Sequence, residues 1–227
     1  MTDRQPEGRV PAPGRVRWGS LARTSPVSRE WGIDRGLAID RHYIEAFLGA
    51  HAGDVRGRVL EVANGRYTRQ FGRGVERGDV LNVVAGAPET TIVADLASGD
   101  GIPGETFDCV ICTQTLQLVY DVRSAIRTLH RILRPGGVLL ATVPGISQIS
   151  RFDMDRWGDY WRFSSTSARG LFQAHFDAGA LEIRSRGNAL STTAFLFGLS
   201  ARELTAAELL HFDPLYELVL CIRARRS

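Results

Sequence analysis

Residues 133–145, LRPGGVLLATVPG, decide the fold that this sequence predicts. They follow a segment of helical periodicity and, before it, the apolar run FDCVICT at residues 107–113. Pro135 is expected to end the helix, and we expect Gly136 and Gly137 both to supply the positive φ of a tight turn. The mostly apolar residues 138–143 are typical of a strand buried on both faces. The stretch therefore predicts a helix-to-strand unit of an α/β protein.

Strand and helix patterns alternate around this unit. Helical periodicity begins at Ile39 and at Tyr67, and it recurs over residues 122–133, 167–175 and 201–210. The predicted strands cover residues 58–62, 80–84, 91–94, 107–113, 138–143, 181–185 and 216–222. Repeated β-α alternation predicts a doubly wound, mostly parallel sheet of seven strands with helices on both faces.

The domain organisation follows from length and composition. With 227 residues and 44% apolar content, the chain suits one α/β domain, which we place at residues 31–227. Residues 1–30 hold four of the nine prolines and show no periodicity, so they are expected to form a flexible N-terminal arm. Residues 147–163 mix aromatic, acidic and arginine side chains, which is typical of a lid over a pocket.

Charge and hydropathy argue against two classes of partner. The net charge is +3, and the 28 basic residues, all arginine, are interspersed with acidic ones, so we expect no nucleic-acid partner. No apolar run approaches the roughly 20 residues that span a membrane, and the N-terminus has no signal-like apolar core. We therefore expect a cytoplasmic protein with no membrane partner.

The three cysteines predict neither a disulfide framework nor a metal site. Cys109 and Cys112 form a C-x-x-C motif, but they lie within a predicted strand. Side chains three residues apart on a strand point to opposite faces and cannot bind one metal ion. We expect buried, unmodified thiols.

Polar and small residues at strand ends are the candidate ligand contacts. In a doubly wound sheet, ligands bind outside the carboxyl ends of the strands, near the switch in strand order. Residues 61–68, EVANGRYT, begin with Glu61 at the end of the first strand, and the second strand ends in residues 82–85, NVVA, which begin with Asn82. Asp95 follows the third strand, and Gln114 follows the fourth.

These residues resemble the class I S-adenosylmethionine (SAM) dependent methyltransferases of the methyltransferase 11 type. The resemblance covers residues 57–145, in family order and spacing: Glu61, Gly65, Asp95, Phe107-Asp108, Gln114 and Pro135-Gly136-Gly137. It implies a Rossmann-like fold and SAM as cofactor. The chain departs from the family at Ala63 and Tyr67, where glycines are usual, and no acid ends the second strand, which suggests a subgroup with a degenerate glycine motif.

The resemblance also implies where SAM would lie. Asp95 takes the family position that accepts a hydrogen bond from the adenine amino group, and the backbone N–H of Leu96 meets the ring. Asp79 and Glu89 stand before and beyond the position of the missing ribose-binding acid, which leaves Asn82 and backbone groups for that role. The full set of cofactor-binding candidates is Tyr43, Glu61, Ala63, Asn64, Gly65, Asn82, Asp95, Leu96, Gln114 and Thr115.

Acceptor and catalytic residues are less constrained by the sequence. If the acceptor must lose a proton, the general-base candidates are His42, Asp153 and Asp155, although the pattern favours a structural histidine and surface ion pairs with arginine for them. The substrate-binding candidates are Ser147, Gln148, Trp157, Tyr160 and Trp161, with lid packing as the alternative role of the aromatic residues.

The predicted function is SAM-dependent methylation of an oxygen or nitrogen of a small metabolite in bacterial natural-product or glycan biosynthesis. A sugar-bearing acceptor is one candidate, and a homodimer through the arm or the last strand is left open. The alternative is a protein of this fold that does not methylate and serves instead as a scaffold or catalyses a cyclisation or other rearrangement. The fold alone does not separate these functions.

Overall fold

The computed structural model describes residues 10–227 and contains one seven-stranded sheet in that range. The first nine residues of the predicted arm lie outside the described residues. The strands are β1 (Gly57–Val62), β2 (Val75–Asn82), β3 (Ile92–Val93), β4 (Phe107–Thr113), β5 (Leu133–Pro144), β6 (Leu181–Arg186) and β7 (Val219–Arg225). Their order is β3-β2-β1-β4-β5-β7-β6, and in this sheet β7 alone runs in the direction opposite to the other six strands. The predicted Rossmann-like sheet is confirmed.

Helices cover both faces of the sheet, as expected. They are α1 (Ile39–Ala50), α2 (Arg66–Phe71), α3 (Val122–Ile132), α4 (Arg151–Met154), α5 (Ser165–Phe172), α6 (Ala189–Leu196) and α7 (Ala206–Leu210). Apolar residues of α1, α2, α6 and α7 share one core layer, and those of α3 and α5 share the other. None of the helices in residues 10–227 has the length and apolar content needed to cross a membrane.

The predicted helices differ from the structure at three places. Helices α4 and α6 had no predicted counterpart, because α4 is a single turn and the apolar residues of α6 do not lie on one face. The predicted helix at 201–210 is a 3-10 turn, Ala201–Glu203, followed by α7. The break occurs because Thr205 caps a new helix, its hydroxyl accepting from the Glu208 N–H at 3.3 Å.

The turn predicted before the fifth strand is a bulge within β5. Phe107 pairs with Leu133 and Cys109 with Val138, so the intervening residues of β5 all lie opposite Asp108. Gly136 has φ +81°, but Gly137 has no positive φ, and that part of the prediction is wrong. Gly137 is required for another reason: a Cβ there would lie 2.9 Å from the carbonyl oxygens of Arg134 and Phe107.

The C-terminus completes the hydrogen bonding of this bulge. The Gly136 N–H donates to the Arg226 carbonyl at 2.8 Å, and the Arg226 N–H donates to the Gly137 carbonyl at 2.9 Å. A bulge inside a buried strand would otherwise leave backbone polar groups unsatisfied. The decisive sequence stretch is therefore stabilised by a residue that lies about ninety positions further along the chain.

The two cysteines of β4 lie in different layers, as predicted. Cys109 packs in the layer of α1 and α6, and Cys112 in the layer of α3 and α5. Burial raises the pKa of Cys112 to about 12 and also raises the pKa of Cys109. Both residues act as small apolar side chains of the core.

We predict that Gly137→Ala destabilises the protein by about 1–3 kcal/mol, because the new methyl group must displace two backbone carbonyls. The matched control is Gly170→Ala in α5, where a Cβ meets open space and the gain in helix propensity is about 0.5–1 kcal/mol. Urea unfolding of both variants checks the prediction. Equal stability of the Gly137 variant and the wild type would contradict the bulge geometry.

Candidate functional site

The strand order reverses between β1 and β4, so their carboxyl ends form the edge where a ligand is expected. Glu61, near the end of β1, is only 2% exposed. Its two carboxylate oxygens accept hydrogen bonds from the backbone N–H groups of Tyr67 at 3.0 Å and Thr68 at 2.7 Å. Burial raises the pKa of Glu61, although these bonds act in the opposite direction. Glu61 thus fixes the first turn of α2, and its oxygens are engaged within the protein.

The turn between Glu61 and α2 keeps a conformation that suits glycine. Ala63, at the position of the first family glycine, has φ +78°, which costs about 1–2 kcal/mol for a residue with a Cβ. The Ala63 carbonyl accepts a hydrogen bond from Asn82 Nδ2 at 3.2 Å, which links the ends of β1 and β2. Ala63 and Asn64 are both exposed at the edge. The backbone shape is therefore retained despite the substitution.

Tyr67 and Tyr43 do not occupy this edge. Tyr67 is 4% exposed and packs in the core beside Phe71, while its hydroxyl accepts from Arg41 at 3.2 Å. Tyr43 is equally buried, and its hydroxyl donates to the Leu209 carbonyl at 2.9 Å, away from the strand ends. Replacement of the last family glycine by Tyr67 thus leaves the edge open. The Tyr43 hydroxyl, the polar group of that side chain, does not reach the edge.

An acid does return to the edge after β2. The loop that follows β2 carries Glu89 back to the turn, where its carboxylate accepts from the Gly65 N–H at 3.0 Å and from Arg69 at 2.9 Å. Both bonds lower the pKa of Glu89, and the bond from Gly65 has the larger effect. Asp79, by contrast, is buried within β2, where it binds Arg58 at 2.8 Å and Arg77 at 3.0 Å as part of the scaffold.

The ends of β3 and β4 complete the edge. One oxygen of Asp95 accepts from the Ala97 N–H at 2.7 Å, and the side chain is exposed. Leu96 packs in the core, so only its backbone is available to a ligand. Gln114 has φ +48°, a strained conformation for this residue type. Thr115 donates its hydroxyl hydrogen to the Thr113 carbonyl at 3.0 Å.

A cavity of about 260 Å³ opens beside this edge, and Gln114 is part of its wall. Three other predicted residues line it: Ser147, Gln148 and Asp153. The predicted His42, Asp155, Trp157, Tyr160 and Trp161 do not. A second cavity, about 190 Å³, lies between α1 and the β6–β7 ribbon, away from the strand ends.

Asp40 is a cavity residue that the sequence pattern did not indicate as a ligand contact. It lies in the first turn of α1, lines the cavity, and its side chain is 14% exposed. Burial raises the pKa of Asp40, and the neighbouring Arg41 only partly opposes this effect. The available signal was the triplet Ile39-Asp40-Arg41, but an acid at that position also suits a helix N-terminus.

The three general-base candidates have different surroundings. Asp155 forms an ion pair with Arg151 at 3.2 Å and is 58% exposed, which agrees with the alternative surface role. His42 packs edge-to-face against Tyr43, with ring centroids 5.4 Å apart. Asp153 alone of the three lines the cavity.

The lid segment is fixed by a buried ion pair. Asp159 is 2% exposed in its side chain and binds Arg162 at 2.6 Å. It also accepts from the Ser150 N–H at 2.9 Å, while Arg162 donates to the Gln148 carbonyl at 2.6 Å. Burial acts to raise the pKa of Asp159, but the bonds from Arg162 and Ser150 outweigh it and hold the pKa below its usual value.

The three aromatic residues of the lid that were predicted to bind substrate are partly exposed. Trp161 donates its indole N–H to the Val119 carbonyl at 3.1 Å and stacks with Tyr120 at 6.1 Å between ring centroids. The Tyr160 N–H donates to the Gln117 carbonyl at 2.8 Å. Trp157, 40% exposed, packs against Phe152. In this arrangement the aromatic side chains pack the lid and stand outside the cavity wall.

Comparison with known proteins agrees with this geometry. Residues 54–141 match the family model described as a methyltransferase domain. No curated protein sequence matches the chain. The matched segment is the one that carries the sequence motifs, so the resemblance to the methyltransferase family predicted from those motifs is confirmed, and the sheet order is that of the predicted fold.

Three solved structures illustrate the similarity. A SAM-dependent methyltransferase from Mesorhizobium loti is 17% identical, with 85% of this chain and 99% of that one covered and a TM-score of 0.53. The 1,6-didemethyltoxoflavin-N1-methyltransferase of Burkholderia thailandensis, with S-adenosylhomocysteine bound, is 17% identical over 86% and 81% of the chains, with a TM-score of 0.55. The 4+2 cyclase SpnF is 17% identical over 84% and 82%, also with a TM-score of 0.55. At this identity the likeness shows the fold alone.

We predict that Asp159→Asn costs about 3 kcal/mol of stability at neutral pH, because it leaves Arg162 without its buried partner. The folded-state pKa of Asp159 lies below its unfolded value, so its contribution is present above about pH 4 and is lost as the pH falls through the folded pKa. Unfolding free energies of both proteins, measured against pH, should converge in acid.

The control is Asp155→Asn, which removes an exposed ion pair of the same segment and should change stability by less than about 0.5 kcal/mol. A difference between the wild type and the Asp159 variant that stays constant down to the acid limit would refute the proposed ionic role of Asp159.

Proposed function

We propose that this protein transfers the methyl group of SAM to an oxygen or nitrogen of a small metabolite in natural-product or glycan biosynthesis. The observation that carries the proposal is the position of Gln114, which belongs both to the strand-end edge and to the wall of the cavity. A cofactor along the edge and an acceptor in the cavity would meet there. Holding two reactants together supplies much of the rate of such a reaction.

The residues at the edge fit SAM, with one departure. The exposed backbone at Ala63 and Asn64 suits the methionine portion, and the second oxygen of Asp95 is open to the adenine amino group. Val83 and Val84 are 49% and 57% exposed just beyond β2 and offer apolar surface to the adenosine. No carboxylate projects from the end of β2 itself, where Asn82 donates to Ala63 and Thr90.

Bound SAM supplies a methyl group on a sulfonium, which an acceptor lone pair attacks in line. The protein has to orient the acceptor and accept its proton when the acceptor atom carries one. Asp40 has the required position, in the cavity wall with Gln114, and its raised pKa brings a carboxylate closer to the range of an effective base. The ion pair of Asp159 and Arg162 keeps the lid over the cavity and limits access of water.

The second candidate is a protein of this fold that binds its ligand without methyl transfer. It is favoured by Ala63, by the missing acid of β2, and by Glu89, which already binds the Gly65 N–H at the glycine turn. The fold also occurs in a 4+2 cyclase. Under this alternative, the edge binds SAM as a structural ligand or not at all.

We predict that SAM and S-adenosylhomocysteine bind with measurable heat and that Asp95→Asn weakens both by about tenfold, the effect of one lost hydrogen bond. Asparagine keeps the oxygen that accepts from Ala97 and removes the second acceptor, so the turn remains intact. Calorimetry with the two ligands is the measurement, and Asp100→Asn, exposed in the same connection between β3 and β4, is the control.

Absence of binding of both ligands at millimolar concentration would reject the cofactor assignment. Binding without transfer of an isotopically labelled methyl group to any amine or alcohol of a broad acceptor panel would favour the second candidate.

We predict that Asp40→Asn lowers kcat by about a hundredfold or more while SAM affinity stays unchanged, because a general base contributes 10² or more to the rate. The pKa of Asp40 is raised, so the wild-type kcat/KM should fall in acid at a pH above the ordinary aspartate value of about 3.9. The Asp40→Asn variant should not show this fall of kcat/KM at low pH. Loss of activity in His42→Gln with an active Asp40 variant would instead assign the base to His42.

A further inference from the structure

The wall of the cavity holds hydrogen-bond acceptors that have no partner within the described part of the protein. Gln117 is 8% exposed, and its Oε1 is buried without a hydrogen bond. The orientation of this amide is fixed, since its Nε2 donates to the Gln114 carbonyl at 2.9 Å. The Oε1 of Gln148 is likewise buried without a partner. Because an unsatisfied buried acceptor costs about 1–3 kcal/mol, two of them in one cavity point to a ligand that donates.

The charged side chains of the cavity wall, three aspartates and two arginines, carry a net negative charge. Asp159 and Arg162 neutralise each other in the lid, and Arg41 lies 3.9 Å from Asp40 and donates to the Tyr67 hydroxyl. Asp40 and Asp153 also line the cavity. No ion pair of Asp153 is formed among residues 10–227, in contrast to Asp155 two positions later. The wall residues therefore include one acid paired with an arginine, Asp40, one acid without an ion pair, Asp153, and two amides whose oxygens have no partner.

Apart from Gln114 and two serines, the remaining wall is apolar. Trp31, Ile33 and Phe195 are among its residues, together with Leu118 and Pro144. A ligand that fits must carry an apolar or ring-shaped body and a cluster of donor hydrogens at one end. A protonated amine offers up to three such hydrogens and a charge opposite to that of the aspartates.

We propose that the acceptor substrate is a small amine, whose ammonium group is bound by Asp153 and the side-chain oxygens of Gln117 and Gln148. This inference rests on the proposed function, because it names the substrate class of the same site. The inference goes beyond the proposed function because it selects amines over neutral polyols and over acids as the substrate. The amino group need not be the atom that is methylated.

Three ring compounds of matched shape test the inference: cyclohexylamine, cyclohexanol and cyclohexanecarboxylate. Dissociation constants are measured by ligand-observed NMR with S-adenosylhomocysteine at saturation. We expect the amine to bind at least about tenfold more tightly than either other compound, equivalent to about 1.4 kcal/mol. D-glucose serves as the polyol, and binding of glucose or cyclohexanol as tight as that of the amine would overturn the inference.

Variants separate recognition from folding. Asp153→Asn and Gln148→Leu should each weaken binding of the amine by about fivefold and leave cyclohexanol unchanged. Gln148→Glu adds a carboxylate and should tighten amine binding, a gain that a merely structural residue would not produce. The control Asp100→Asn removes one exposed acid outside the cavity and should change nothing. Amine binding that is the same in all four variants would refute the site.

The two proposals fail in different ways. If S-adenosylhomocysteine binds and the amine shows no preference, the substrate class is wrong and the methyltransferase proposal stands. If S-adenosylhomocysteine does not bind, the titrations are made without it, and amine selectivity that depends on Asp153 would still support the cavity as an amine site.

Discussion

The contact of Glu61 with the first turn of α2 determines the shape of the site. A buried carboxylate is costly unless it is hydrogen-bonded, and the free N–H groups at a helix N-terminus are among its best partners. The bonds to Tyr67 and Thr68 meet that need and at the same time fix where α2 begins. The chain between them must then turn within Val62 to Arg66, which forces Ala63 into a left-handed conformation. The open edge for a ligand is a consequence of this one contact.

Backbone strain is concentrated around the same place. Four residues other than glycine have positive φ in the described chain, and three of them, Trp31, Ala63 and Gln114, lie at the edge or in the cavity wall. Each such conformation costs about 1–3 kcal/mol and persists only where surrounding contacts hold it. The Ala63 N–H donates to the Leu81 carbonyl at 2.9 Å and its carbonyl accepts from Asn82, and the Gln114 N–H donates to the Thr142 carbonyl at 2.9 Å. Strain held in this way is typical of a site in which backbone position is maintained at the expense of stability.

The sequence predicted the sheet better than the site for a physical reason. Apolar runs such as residues 107–113 are buried on both faces, and their composition alone identifies them. The bulge of β5 depends on Arg226, and no local pattern reports that distant pair. The cavity likewise joins Asp40, Gln117 and Gln148 from three separate segments. Glu89 reaches the glycine turn only because its loop folds back, which residue spacing could not indicate.

Gln117 connects the substrate cavity with the lid. Its carbonyl accepts the N–H groups of Tyr160 at 2.8 Å and Trp161 at 3.3 Å, while its side-chain oxygen lies unpaired at the cavity. A ligand that donates to this oxygen would therefore restrain the residue to which the lid is bonded. Arg162 makes a second connection, since it binds Asp159 and the Gln148 carbonyl together. Gln117 thus carries backbone bonds to the lid and Gln148 belongs to it, so occupation of the cavity and closure of the lid should stabilise each other through shared residues.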